Sequence, residues 1–401
     1  MRPAMPAAAT TLECRATNSE AARVMAAGVA SMVLTVGLAR FLYTPLLPVM
    51  QAEAHLSVTG GGWLATTNYA GYMAGTLLAA SVGGLRAKFA LYRALLVVAL
   101  IGTAGMGLTT NMAMWEFLRF IAGVSSVAGL LLSSGLVLNW LRHHGRRLEL
   151  GVHFAGVGLG IAVSGLLAIA MAGSLDWARQ WLAAGIVGIV LLIPAWAWMP
   201  APAAPGGPRS LHQDRPPTRR WMIFFTLAYF CAGVGYVVSA TFLVAIAAHH
   251  PALRGYGNVI WVVAGLAAMP SCPLWDRVAR RAGDIPALLA AFAVLIASIL
   301  LAARTDGLFG LMTSAALYGA SFNGITSMTL SIIGRLYPSN PATAMARLTI
   351  SFGAAQIVAP AVSGIIAAST GSYRGALYMA AVAMLIGMGF LTMMPSPNRQ
   401  R

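Results

Sequence analysis

Long apolar stretches alternate along this chain with short polar turns, and each stretch is close to the length that crosses a lipid bilayer as a helix, about 20 residues. Twelve stretches fit: Val24–Leu47, Gly62–Val82, Ala90–Thr109, Met114–Leu141, Gly151–Gly173, Trp181–Trp198, Trp221–Ala247, Val259–Trp275, Ile285–Ala303, Leu308–Gly334, Thr343–Ser369 and Gly375–Met394. Tryptophans mark their ends, among them Trp63, Trp140, Trp181, Trp198, Trp221 and Trp275. Indole prefers the membrane–water boundary, because its ring is apolar and its N–H wants a polar partner. The expected fold class is all-α integral membrane, with twelve transmembrane helices.

One linker breaks the rhythm. Met199 to Arg220 is rich in Pro, Gly and charge and lacks the apolar content to pack. It divides the chain into six stretches and six. The halves echo each other: each has a basic turn between its second and third stretches, Leu85–Arg93 and Asp276–Gly283. The expected organisation is a tail over 1–22, a six-helix bundle over 23–199, a linker over 200–220, a second bundle over 221–395 and a tail over 396–401. Such repeats point to a pseudo-symmetric transporter with its site where the repeats meet.

Composition agrees. Hydrophobic residues make up 59% of the chain and charged residues 9%, against about 25% charged in soluble domains. The net charge of +16 would suit nucleic acid, but its placement answers to topology. Twenty of the 26 basic residues sit on one alternate set of gaps and termini, four on the opposite set, and Arg40 and Arg119 inside stretches. Positive charge collects on the cytoplasmic side. The chain is therefore read as a multi-pass protein of the bacterial inner membrane, both termini cytoplasmic, with lipid as its surroundings and no nucleic-acid partner. Cys14, Cys231 and Cys272 are too scattered for a disulfide framework or a zinc site. No cofactor or metal is expected, and HExxH, GxSxG and P-loop patterns are absent, so an enzyme is not expected.

The candidate chemistry lies in intramembrane polarity. An arginine at mid-membrane costs about 2.5–3.5 kcal/mol on insertion scales, so it faces protein or a wet cavity. Arg40 and Arg119 could share a depth and receive an anionic group; alternatively Arg119 pairs with Glu116 one turn away and Arg40 snorkels outward. Of ten acids only Glu116 falls clearly inside a stretch, which disfavours a carboxylate proton relay and leaves Glu116 as the coupling candidate. His153 could titrate near neutrality, though a hydrogen-bonded packing role is the plainer reading. Asn68, Tyr69, Tyr72, Tyr236, Asn323 and Gln356 are expected to face the interior, with Asn323 and Gln356 the better cavity candidates, because an amide has more hydrogen-bonding capacity to satisfy.

At these residues the chain resembles the major facilitator superfamily, and within it the YbfB/YjiJ-type branch. The resemblance rests on Gly37-Leu-Ala-Arg-Phe-Leu-Tyr-Thr-Pro-Leu-Leu-Pro48, Gly62-Trp-Leu-Ala-Thr-Thr-Asn-Tyr-Ala-Gly-Tyr72, Arg119-Phe-Ile-Ala-Gly123, His153-Phe-Ala-Gly-Val-Gly-Leu-Gly160 and Asp276-Arg277 with Arg280-Arg281. It implies the major facilitator fold, alternating access, and a cavity lined by the first, fourth, seventh and tenth helices. It also draws in Tyr43 as a substrate-side residue, and Asp276 and Arg277 as part of a gating loop. The first-half loop, Gly83 to Lys88, lacks the acid usual there.

The expected function is secondary transport of a small molecule, an organic anion if Arg40 and Arg119 serve it, by a monomer with a proton or other coupling ion. Proton-coupled efflux of neutral or cationic compounds through Glu116, and a non-transporting sensor or scaffold, are the alternatives.

Overall fold

The computed structural model describes residues 17–144, 146, 151–202, 216–249, 253, 255–337 and 341–394. Cys14, most of the proposed linker and the tail over 396–401 lie outside the described residues.

Twelve rods make the described fold. They are α1 Asn18–Glu53, α2 Val58–Ser81, α3 Leu85–Leu108, α4 Met112–Leu141, α5 Gly151–Met171 and α6 Trp177–Ala197, then α7 Arg219–His249, a bent α8, α9 Asp284–Arg304, α10 Leu308–Leu336, α11 Pro341–Thr370 and α12 Arg374–Thr392. The α8 segments Gly257–Ala268 and Ser271–Ala282 meet at 44°, at Pro270. Nine rods, or ten with α8 as one span, are long and apolar enough to cross a membrane among the described residues. The other two, α2 and α10, are long enough at 24 and 29 residues. They are diluted by Gly, Thr, Ser, Asn and Tyr, which suits helices enclosed by their neighbours.

The first helix of each half begins slightly earlier than expected. Thr17 caps α1 in a reciprocal capping box with Glu20, so the helix begins at Asn18, inside the stretch read as a tail. Likewise α7 begins at Arg219, inside the stretch read as linker.

Backbone geometry carries the repeat more clearly than the sequence does. Among the described residues six have positive φ: His55, Gly84, Gly173, Gly255, Gly283 and Gly371. They fall into three pairs, at the turns before α2 and α8, before α3 and α9, and before α6 and α12, with nearly the same stretch of chain between partners. The symmetry stops at two places in the first half. Val33–Phe41 of α1 and Ala128–Leu132 of α4 are π-helical, while their counterparts α7 and α10 run as unbroken α-helices.

Glycines let the rods meet at their backbones. A Cβ on Gly71 would strike the carbonyl of Phe120, and one on Gly123 that of Asn68, so α2 and α4 cross in direct contact. Between the halves, a Cβ on Gly62 would lie 2.6 Å from the Pro360 carbonyl oxygen, and one on Gly158 2.6 Å from that of Gly265. The halves therefore touch through α2 against α11 and through α5 against α8.

Arg119 locks this arrangement. It is 2% exposed, and its guanidinium donates to the carbonyls of Ala39 at 3.0 Å, Leu64 at 3.4 Å and Arg40 at 3.5 Å. Two of those carbonyls belong to the π-segment just before Pro45, which has no N–H to give to the turn before it. The face of Tyr43 lies 4.4 Å from the guanidinium carbon, and the Tyr43 hydroxyl donates to Gly61 at 2.8 Å. Asn68 Nδ2 in turn donates to the Arg119 carbonyl at 2.8 Å. Arg119 thus ties α1, α2 and α4 together through backbone oxygens, and no ion pair with Glu116 occurs among the described residues.

Two outcomes follow. Arg119→Met strands three carbonyls and should cost about 1.5–3 kcal/mol, the range for hydrogen bonds to a charged group, seen as a lower Tm in detergent; unchanged Tm with lost solute binding would place Arg119 in the binding machinery instead. Gly123→Val drives a side chain into a backbone carbonyl and should cost at least the about 1–3 kcal/mol of ordinary overpacking in the same assay.

Candidate functional site

A cavity of about 440 Å³ lies between the two halves. From the first half, Arg40 of α1, Tyr72 of α2 and Leu130 to Leu132 of the α4 π-segment form its wall. From the second, Tyr229 and Tyr236 of α7, Phe322, Asn323 and Thr326 of α10, and Phe352 and Gln356 of α11 complete it. It continues to Leu85 and Lys88 beside the α2–α3 turn, at the end of the molecule that carries the N-terminal cap and the basic turns.

The opposite end is closed by contacts between the halves. Thr44 Oγ1 donates to Ala240 O at 2.5 Å, Thr66 Oγ1 to Ile357 O at 2.8 Å, and Trp261 Nε1 to Ser164 Oγ at 3.0 Å. Phe41 meets Trp261 edge-on at 5.9 Å.

Arg40 stands at the inner limit of the cavity, 5% exposed. Its Nη2 donates to Gln356 Oε1 at 3.1 Å and to the Tyr236 hydroxyl at 3.4 Å, both from the second half. Its guanidinium carbon lies 4.4 Å from the Tyr69 ring centre, 4.8 Å from that of Tyr72 and 5.6 Å from that of Phe41. Such cation–π contacts are worth about 0.5–2 kcal/mol each. They leave Nε buried with no hydrogen-bond partner, and Asn323 Nδ2 on the same wall is also buried without one. The two buried, unmet groups on residues of this wall are donors. Arg40 and Lys88 are the charged residues of the wall, and none of its lining residues is Asp or Glu. The arrangement is built to receive a solute bearing acceptors and negative charge, with an apolar or aromatic body lying along the tyrosines and phenylalanines.

The residues singled out from sequence separate into those on the wall and those off it. Arg40, Tyr72, Tyr236, Asn323 and Gln356 line the cavity. Tyr69 is one layer behind, its ring against Arg40 and edge-on to Tyr236. Tyr43, Asn68 and Arg119 are off the wall, committed to the staple between α1, α2 and α4. Glu116 is half-buried on α4, away from the cavity. His153 is fully buried, its Nε2 2.9 Å from Ser134 Oγ and 3.4 Å from Ser133 Oγ, with Gly28 packed on the ring. Asp276 and Arg277 are exposed on the second segment of α8, also away from the wall.

Other lining residues were not singled out. Lys88 reads in the sequence as one more topological charge, although it is the only lysine in the chain. Phe322 and Phe352 carry no signal in an apolar chain. Tyr229 and Thr326 belong to polar groups of α7 and α10 that patterning places inside without saying which members meet solute.

Residues 32–392 match the family described as "Uncharacterised MFS-type transporter YbfB". A stretch of 118 residues, 29% of this chain, is 31% identical to "Efflux pump dotC" of Dothistroma septosporum, and the match spans 20% of that relative's length. A crystal structure of a point mutant of the nucleoside transporter NupG superimposes with a TM-score of 0.74 at 12% identity, over 94% of this chain and 100% of that one. An inward-facing, unoccupied bacterial homologue of the human lysosomal transporter Spinster gives 0.67 at 16%, over 95% and 100%. At these identities the two structures speak for the fold alone. The match over residues 32–392 decides the family: the chain belongs to the YbfB-type family of the major facilitator superfamily, multi-pass membrane proteins that act as secondary transporters and not as enzymes.

Proposed function

We propose that this protein carries an organic anion with an apolar or aromatic body across the bacterial inner membrane, binding its acidic group at Arg40. The observation that carries the reading is the Arg40 Nε, a donor of a 95%-buried side chain with no partner, on a cavity wall without a carboxylate. Arginine stays charged at any physiological pH, and its fork suits carboxylate geometry. Gln356 supplies an amide beside it and Asn323 another on the same wall, and Tyr72, Tyr236, Phe322 and Phe352 supply flat apolar surface. Lys88 draws anions toward the mouth.

The basic end is cytoplasmic in this reading, with both termini inside, because that end carries most of the chain's arginines. The cavity continues toward that end and the opposite end is closed, so the conformation is inward-open. Alternating access then requires the Thr44–Ala240, Thr66–Ile357 and Trp261–Ser164 contacts to part while the basic end closes.

Purified protein should bind p-aminohippurate, an aromatic carboxylate, with a saturable rise in Tm, and should bind its neutral amide at most weakly. Arg40→Gln should weaken p-aminohippurate binding about 30-fold or more, since a buried charge-assisted contact is worth at least about 2 kcal/mol. Equal affinity in wild type and variant overturns the assignment. In a background with Cys14, Cys231 and Cys272 replaced, Thr326→Cys should react with an impermeant maleimide in inverted membrane vesicles and not in right-side-out ones. The reverse pattern would invert the topology.

A further inference from the structure

Resting on the anion reading, we infer that this transporter works as an exchanger: it changes orientation readily only with an anion bound, so one anion moves in as another moves out. The grounds are electrostatic. Two arginines are buried among the described residues, Arg40 and Arg119. Arg119 is satisfied by three backbone carbonyls within one half. Arg40 is not: its Nε has no partner, and its Nη2 reaches two neutral groups, Gln356 and Tyr236.

Nothing on the cavity wall can answer that charge. The wall's other charged group is Lys88, also cationic. Glu116, the carboxylate inside a span, is off the wall, as are Asp276 and His153. A guanidinium does not give up its proton to become neutral. In the inward-open form only the small exposed part of Arg40, 5% of the residue, can meet water through the open end, while Nε is already buried. In the intermediate closed at both ends that water is squeezed, and an unpaired guanidinium is left in an apolar bundle. A bound carboxylate cancels the charge and takes the Nε hydrogen bond, so the loaded protein passes the same intermediate far more easily.

The hydrogen bonds of Arg40 sharpen the point. Gln356 and Tyr236 belong to the second half, so the rocking of one half against the other alters these contacts. An unloaded protein loses neutral partners for Arg40 as it moves, whereas a bound anion travels with the guanidinium. The insertion cost of a mid-membrane arginine corresponds to roughly 100-fold in rate, which sets the scale for how much slower the empty protein turns over.

The test uses the full chain in proteoliposomes loaded with tritiated p-aminohippurate, which crosses lipid slowly. With membrane potential and pH clamped, label should leave roughly 100-fold faster into medium containing unlabelled p-aminohippurate than into medium whose only anion is an impermeant buffer. Collapsing or imposing a pH gradient should leave the exchange rate unchanged. Saturable efflux at the same rate with and without external anion overturns the exchange inference while the anion reading stands. Absence of saturable binding and of any protein-dependent flux overturns the anion reading, and the inference with it. Wild-type protein alone decides between these outcomes. Arg40→Gln, checked by its Tm and elution profile, adds a second readout: residual flux in that variant should no longer be accelerated by external anion.

Discussion

A guanidinium deep in an apolar bundle, without a carboxylate beside it, constrains everything around it. The membrane penalises such a charge by about 2.5–3.5 kcal/mol even after local adjustment. Arg40 meets that cost with three aromatic faces, one amide oxygen and one phenol, and still keeps an unmet donor. Arg119, close by on α4, meets the same cost with backbone oxygens and is left with structural work. Two residues of one type at neighbouring sites therefore sit in opposite settings, one surrounded by carbonyls that need donors and the other by rings and a cavity.

The first half is distorted where the second is regular, and the distortion serves the site. The π-segment of α1 carries Arg40, and that of α4 carries the leucines of the cavity wall. Such segments shift the register of a helix and leave carbonyls looking for partners, and they recur at functional positions. Arg119 donates to two of those carbonyls in α1, so the staple and the distortion support each other. The second half contributes amides and aromatic rings from unbroken α-helices. Charge comes from the first repeat alone and the amides from the second, which places the meeting of the two at the seam between the halves.

Much of the fold could be read from the sequence, because crossing a bilayer leaves so few choices. The twelve rods and the basic turns between them follow from apolar length and charge placement. The site was harder. Arg40 stands out by its cost in lipid, but Arg119 shows the same signal, and a sequence does not reveal that Ala39, Leu64 and Arg40 offer it their carbonyls. Asn68 looked like a cavity amide for the same reason that Asn323 did, yet it holds the Arg119 carbonyl. Lys88 was hidden among charges that set topology, and Phe352 among residues that only make the chain apolar. Polarity tells which side chains avoid lipid; it does not separate those that meet a solute from those that fasten helices.

The closed end shows how lightly the conformation is held. Its contacts are hydroxyls and an indole donating to neutral oxygens across the halves, and glycines that let backbones touch. Interhelical hydrogen bonds in membranes average about 0.6 kcal/mol, so a few of them make a latch of only a few kcal/mol. A ligand needs about 5.5 kcal/mol of differential affinity to move a two-state balance from one extreme to the other. In the proposed exchange, an anion that neutralises Arg40 in the closed intermediate supplies about half of that from a single charge, at the roughly 100-fold scale of a mid-membrane arginine's cost, because an unpaired guanidinium is tolerated in a wet, open cavity and penalised in a dry one. In the proposed exchange, weak gates and one strongly coupled charge are therefore complementary: the first let the halves part, and the second decides when they do.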